Sequence, residues 1–283
     1  MLKKYLFLIF TLSLLAGCAS GNTDIPASST PSLPTEPSES PTEVTRMPGT
    51  LDANHDGVVT WYALGDSITQ GYYSYFDENG EGKLALNANQ GWANLLSTST
   101  GWKLTNSAVG GSGFVHKGTV LDKLTGREHI DTLNFQNAEL VTLAFGVNDW
   151  KGDDPLGQMD DDIATGGTFY SNMRYCIEKI QKDNPTAKIV VISPINCCRF
   201  GFPWKDWGIN FPFANNGTLE DIYNAMKQVC DHYSIPLIDV LHNETINGDI
   251  KNNLPDGVHP TLEVHARMAE ILEEKLLAIL PEE

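Results

Sequence analysis

The sequence predicts an α/β protein, a three-layer α/β/α domain built on a central, mainly parallel sheet. Two observations carry this. From about residue 58 onward, short apolar runs alternate with segments of helical periodicity. Strands that read as continuous apolar runs are buried on both faces, and intervening amphipathic helices are what covers them. A third observation points to where the chemistry lies: strand after strand runs out into a glycine-rich or polar sequence. In open sheets of this kind ligands bind beyond the carboxyl ends of the strands.

The elements follow in order. Val58 to Leu64 is an apolar run ending at Gly65, the first strand. Gly91 to Thr100 places Trp92, Leu95 and Leu96 at helical spacing. Trp102 to Val109 is strand-like and ends in Gly110-Gly111. Leu140 to Phe145 is β-rich and stops at Gly146. Phe169 to Lys182 carries Met173, Ile177 and Ile180 on one helical stripe. Lys188 to Ile192 is a buried strand before Ser193-Pro194. Leu219 to Tyr233 is a further helix and Pro236 to Val240 a last strand. Pro260 and Thr261 open a C-terminal helix bearing Met268, Ile271, Leu272 and Leu276.

Ahead of this domain the composition changes. Lys3 and Lys4 precede an apolar run from Tyr5 to Leu15, too short to span a bilayer and shaped like a secretory signal. Leu14-Leu15-Ala16-Gly17-Cys18 resembles a bacterial lipobox, which implies lipidation of Cys18 and anchoring on a cell membrane, outside the cytoplasm. Residues 19 to about 50 are rich in Ser, Thr, Pro and Glu and bury too little to offset chain entropy. The expected organisation is a signal peptide over 1–17, a lipidated Cys18 with a disordered tether over 18–50, and a catalytic domain over 51–283. The net charge of −17 disfavours nucleic acid and anionic lipid head groups as partners. Cys176, Cys197, Cys198 and Cys230 show no metal spacing, and the sequence assigns no disulfide among them.

Four strand ends supply the candidate chemistry: Gly65-Asp66-Ser67-Ile68-Thr69, then Asn106 through Gly111, then Gly146-Val147-Asn148-Asp149, and finally Asp256-Gly257-Val258-His259-Pro260. A serine hydroxyl needs a base within hydrogen-bond reach, and His259 is the candidate. Asp256, three residues earlier, can reach the imidazole Nδ1 and hold its tautomer. The four blocks, in this order, resemble the SGNH-hydrolase family, also called GDSL esterases. The resemblance implies a flavodoxin-like architecture, a Ser67–His259–Asp256 triad, and an oxyanion hole from the Ser67 and Gly110 backbone N–H groups and the Asn148 amide. Gly111 is adjacent, so the glycine assignment can slip by one. The Ser–Asp–His order is shared with α/β-hydrolases, but the second glycine of their G-x-S-x-G turn is missing here.

Other residues get simpler readings. Asp66 is a structural partner in its turn, Asp149 a loop support, and His265 a packing or surface residue. Asp52-Ala53-Asn54-His55-Asp56-Gly57 resembles the start of a calcium loop, but its twelfth position is Ala63, where a bidentate acid is required. No metal or cofactor is expected. Tyr72, Trp150, Trp204 and Trp207 fall in loops on the expected site side and are read as substrate contacts. The expected function is hydrolysis of carboxylic esters through an acyl-enzyme, with O-acetyl groups on carbohydrate as substrate. A lysophospholipase or thioesterase acting on longer acyl chains is the alternative. A non-catalytic glycan-binding lipoprotein is the alternative of another class.

Overall fold

The structure is a computed structural model and is described for residues 46–118, 124–199 and 207–281. The signal peptide, Cys18, most of the tether, and Trp204 therefore lie outside the described residues. All that follows belongs to the unit Glu43–Glu283.

Among the described residues the main sheet has five parallel strands. They are β1 (Thr60–Gly65), β4 (Lys103–Asn106), β5 (Leu140–Ala144), β6 (Lys188–Ile192) and β7 (Leu237–Ile238), in the spatial order β4-β1-β5-β6-β7. Renumbered along the chain, that order is 2-1-3-4-5, the flavodoxin-like arrangement, and its direction reverses between β1 and β5. The register sets Gly65 beside Ala144, so the turns that leave β1 and β5 start side by side. The central strands are apolar on both faces, with Leu140, Val141, Leu143, Val190 and Val191 fully buried.

Helices cover both faces. α2 (Trp92–Thr100) packs on α9 (Leu262–Ile279), and α5 (Phe169–Asp183) packs on α3 (Gly126–Ile130) and α6 (Leu219–Tyr233). Thr168 and Thr218 close capping boxes at the starts of α5 and α6. Trp61 on β1 meets Trp92 at 5.9 Å and Trp102 edge-on at 6.0 Å, and its indole N–H donates to Thr142 Oγ1 at 3.0 Å. The chain enters this unit beside its last helix: Met47 N donates to Ile279 O at 2.8 Å and the Arg46 guanidinium to Leu280 O at 3.3 Å. All four domain cysteines are buried thiols, and burial pushes those of Cys197 and Cys230 up to about 12.

A second, two-stranded sheet lies outside the predicted pattern. β2 (Tyr72–Phe76) and β3 (Gly82–Leu86) pair as an antiparallel hairpin directly after the serine turn. Its turn is closed by Asp77 N to Glu81 O (2.9 Å) and Gly80 N to Asp77 O (3.0 Å), with Gly80 at φ +74°. Gly82 is where the hairpin meets the body of the protein. A Cβ there would sit 2.1 Å from Pro255 O, so only glycine permits this approach.

Candidate functional site

At the end of β1 the backbone turns sharply into the one-turn helix α1 (Ser67–Gln70). The cause is local. Asp66 is the N-cap, in extended backbone, and its carboxylate accepts from Ile68 N at 2.9 Å. Gly71 ends the turn at φ +99°. Ser67 is left at the start of α1, half-buried, with its hydroxyl in a gap between elements.

His259 reaches Ser67 from the other end of the chain. Its Nε2 lies 2.8 Å from Ser67 Oγ, and its Nδ1 lies 2.7 Å from Asp256 Oδ2. The other carboxylate oxygen accepts from His259 N (2.7 Å) and Val258 N (2.9 Å). Asp256 is mostly buried, which pushes its carboxyl up. The His259 ring and these backbone N–H groups pull it down by more, leaving it below the ordinary carboxylate range. A carboxylate that stays charged keeps the Nδ1 proton on the imidazole, so Nε2 is free to accept from the serine. Behind the ring, Ser74 on β2 donates to His259 O at 2.5 Å. The hairpin thus supports the histidine from its back, a contact the sequence pattern did not reveal.

Gly110 lies against the serine: a Cβ on it would be 3.7 Å from Ser67 Cβ and 3.6 Å from the Tyr72 ring. Among the described residues neither Ser67 N nor Gly110 N donates to a protein acceptor. Asn148 is on α4 (Val147–Lys151), which follows β5. Its Nδ2 donates to Ser112 O at 3.0 Å and makes only a long 3.4 Å contact with Asp66 Oδ2. One amide proton is therefore firmly held and the other weakly. Replacing Asn148 by Ala should lower kcat on a small ester by roughly 10²–10³-fold, the usual loss for one oxyanion donor. Full turnover in steady-state assays of the variant would remove Asn148 from that role.

Asp149 supports this arrangement from below. It is 1 % exposed, and its carboxylate accepts from Phe114 N (3.0 Å), Val115 N (2.7 Å) and His116 N (3.1 Å). A Cβ on Gly113 would fall 2.3 Å from that carboxylate, which accounts for the glycine. Burial pushes Asp149 up to about 6 despite its three donors, and pushes Asp66 up to about 6 as well.

His265 is fully buried on α9. It accepts from Trp92 N at Nδ1 (3.3 Å) and donates from Nε2 to Tyr72 O (3.0 Å). Burial lowers its pKa from 6.5 to about 4. The unfolded chain therefore takes up this proton as pH falls through 6.5, while the folded protein resists until about 4. The resulting stability is complete above pH 6.5 and is lost on descending to 4, roughly 3 kcal/mol over that window. The raised Asp66 and Asp149 act with the opposite sign, but equally in wild type and in His265→Gln. The gap between urea midpoints of the two proteins should narrow from pH 7 to pH 4.5. A constant gap would show that His265 does not change its protonation on unfolding.

The other sequence candidates fall in different places. Tyr72 is at the site, with its ring 6.2 Å from that of His259. Trp150 is not. It is fully buried, donates to Phe211 O at 3.2 Å and packs edge-on against Phe213, so it cannot touch a substrate. Two residues apart on a helix are about 200° apart around its axis, which turns Trp150 into the core when Asn148 faces out. Trp207 is half-buried in a bridge to Cys198, whose N–H donates to Gly257 O at 2.7 Å. In the Asp52–Asp56 loop the side-chain oxygens accept from loop N–H groups, Gly57 N to Asp52 Oδ2 at 2.8 Å among them, and Ala63 is buried in β1. Among the described residues no group of three or more His, Cys, Asp or Glu is placed to hold a metal ion.

A sequence model of the GDSL-like lipase/acylhydrolase family matches residues 63–267. No curated protein is significantly similar. Solved structures that share the fold include the following three. A possible lipase from Chitinophaga pinensis is 23% identical, with TM-score 0.57 over 77% of this chain and 98% of that one. An aryl esterase from M. smegmatis is 15% identical, with TM-score 0.56 over 79% and 100%. A carbohydrate acetylesterase from Sinorhizobium meliloti is 16% identical, with TM-score 0.52 over 78% and 99%.

Proposed function

The chain belongs to the GDSL-like lipase/acylhydrolase family, and on that premise we propose that Ser67, His259 and Asp256 hydrolyse carboxylic esters through an acyl-enzyme, with O-acetyl groups on neutral carbohydrate as substrate. The observation that carries the proposal is the unbroken hydrogen-bond chain from Ser67 Oγ through the His259 ring to Asp256. His259 Nε2 takes the serine proton as Oγ attacks the ester carbonyl, and Asp256 stabilises the imidazolium. The oxyanion is met by Ser67 N, Gly110 N and the weakly held proton of Asn148. His259 then returns its proton to the leaving alcohol, and a water, deprotonated in the same way, releases the acid.

Two features favour a polymer over a bilayer lipid. The protein carries a net charge of −17, which weakly disfavours anionic surfaces. The chain also enters the domain at the far end of α9 from His259. That helix has 18 residues, so the entry point and the site are about 27 Å apart. Cys18→Ala should move the protein out of the membrane fraction, and an unchanged distribution would remove the anchor from the account. The likeness to a carbohydrate acetylesterase agrees with the acetyl reading.

The second reading, a lysophospholipase or thioesterase, is favoured by one observation. Phe76, Leu84 and Leu86 are exposed on the same face of the hairpin as Tyr72. A series of 4-nitrophenyl esters separates the two. Acetate should be preferred over octanoate by at least about tenfold, since a longer chain needs apolar wall that acetyl does not. Preference for octanoate would sink the acetyl reading.

A further inference from the structure

Strand alternation gives the β2–β3 hairpin two different faces. Tyr72 and Ser74 point toward the triad, so Tyr73 and Tyr75 point the other way. Their rings are 6.0 Å apart and inclined by 33°, and Tyr75 is 44% exposed. They line a groove of about 460 Å³, whose opposite wall comes from α8 (Ile250–Asn253), the residue Asp249 before it, and the first turns of α9. We propose that this groove is a binding site for a neutral polysaccharide chain.

Its chemistry fits that class. The wall facing the tyrosines mixes acceptors and donors: Asn252 donates to Asp249 (2.8 Å) and Arg267 to Glu263 (2.6 Å). Each pair keeps further carboxylate lone pairs and N–H groups unused by the other. Sugar hydroxyls both donate and accept, and their C–H faces pack on aromatic rings, so rings opposed by mixed donors and acceptors suit them. An acyl chain would leave these polar groups unpaired. The three charged side chains leave the groove with one net negative charge, in a protein that is itself strongly acidic, which disfavours a polyanion. The groove also adjoins the triad. Ser74, between the two tyrosines in sequence, donates to His259 O, and Thr261, two residues after His259, lines the groove.

The identity of the occupant rests on the carbohydrate reading above; the existence of the groove does not. The test uses the full chain with Tyr73→Ala and Tyr75→Ala, assayed on 4-nitrophenyl acetate and on acetylated glucomannan. Binding is read separately by retardation of Ser67→Ala in native gels containing xylan or glucomannan. Each tyrosine variant should lose about tenfold in kcat/KM on the polymer, the size of one lost ring contact, and stay within about twofold on the small ester. Gel retardation of Ser67→Ala should be lost when Tyr75→Ala is added. Equal loss on both substrates, no loss on the polymer, or no retardation by either polysaccharide would overturn the groove. Failure of the esterase reading looks different: wild type would not cleave 4-nitrophenyl acetate, while retardation and its dependence on Tyr75 would still be measurable.

Discussion

Ser67→Ala is expected to lower kcat on 4-nitrophenyl acetate by roughly 10⁵–10⁶-fold, the scale seen when a serine nucleophile is removed. The residue left behind cannot form an acyl-enzyme, and what remains is the help of the oxyanion donors alone. The fold should not notice. Ser67 is half-buried, and its hydroxyl bonds to His259, so its removal strands no buried backbone group and leaves the Asp66 cap of α1 intact. The unfolding free energy of the variant, read by urea titration, should stay within about 0.5 kcal/mol of wild type. A serine-directed organophosphate should add its mass to the peptide holding Ser67 and to no other. Retained turnover in a purified, correctly folded variant would end the nucleophile assignment.

His259→Ala should be about as severe, because the serine then has no acceptor for its proton. Combining it with Ser67→Ala should cost almost nothing more, since the two act as one unit. Asp256→Asn is expected to be milder, a loss of roughly 10⁴-fold. An asparagine keeps the shape but can donate to Nδ1, which moves the ring proton to Nε2, where it blocks acceptance from Ser67. The carboxylate also holds two backbone N–H groups, so part of the loss comes from loop position. Asp256→Glu separates these effects: it retains charge and shifts geometry. Additive losses in the Ser67/His259 double variant would argue against a shared proton path.

Much of this was legible in the sequence, for identifiable reasons. β6 and α6 occur at the predicted residues because Ile189–Ile192 is an unbroken β-branched run and Thr218 caps a strongly amphipathic stretch. β7 is shorter than expected, because only Leu237 and Ile238 pair with the end of β6. Beyond them, Val240 and Leu241 bond to the Ser193 hydroxyl instead. Ser67, Asp256 and His259 were legible as a candidate triad because they stand in short local motifs, Ser67 at the end of β1 and the other two just ahead of α9. The hairpin was not. Tyr72-Tyr73-Ser74-Tyr75-Phe76 shows no clean alternation of apolar and polar, and its placement depends on Pro255 and His259, far away in sequence. Its turn, with Asn79-Gly80, did carry a readable hairpin signal. Trp150 follows Asn148 by two residues in sequence, but the short helix α4 turns it into the core.

Ser67 and His259 are separated by 192 residues of chain. At ordinary rates of synthesis, roughly 10–40 s pass between the appearance of one and of the other. On the proposed mechanism Ser67 is thus made early and lacks its base until almost the whole polypeptide exists. The segment that brings the histidine also brings α9, whose Val264, Met268, Leu272 and Leu276 fill the core beside α2. On that mechanism, completing the core and arming Ser67 both wait for the same stretch of chain. A chain broken off before residue 259 lacks both His259 and the helix that closes the core.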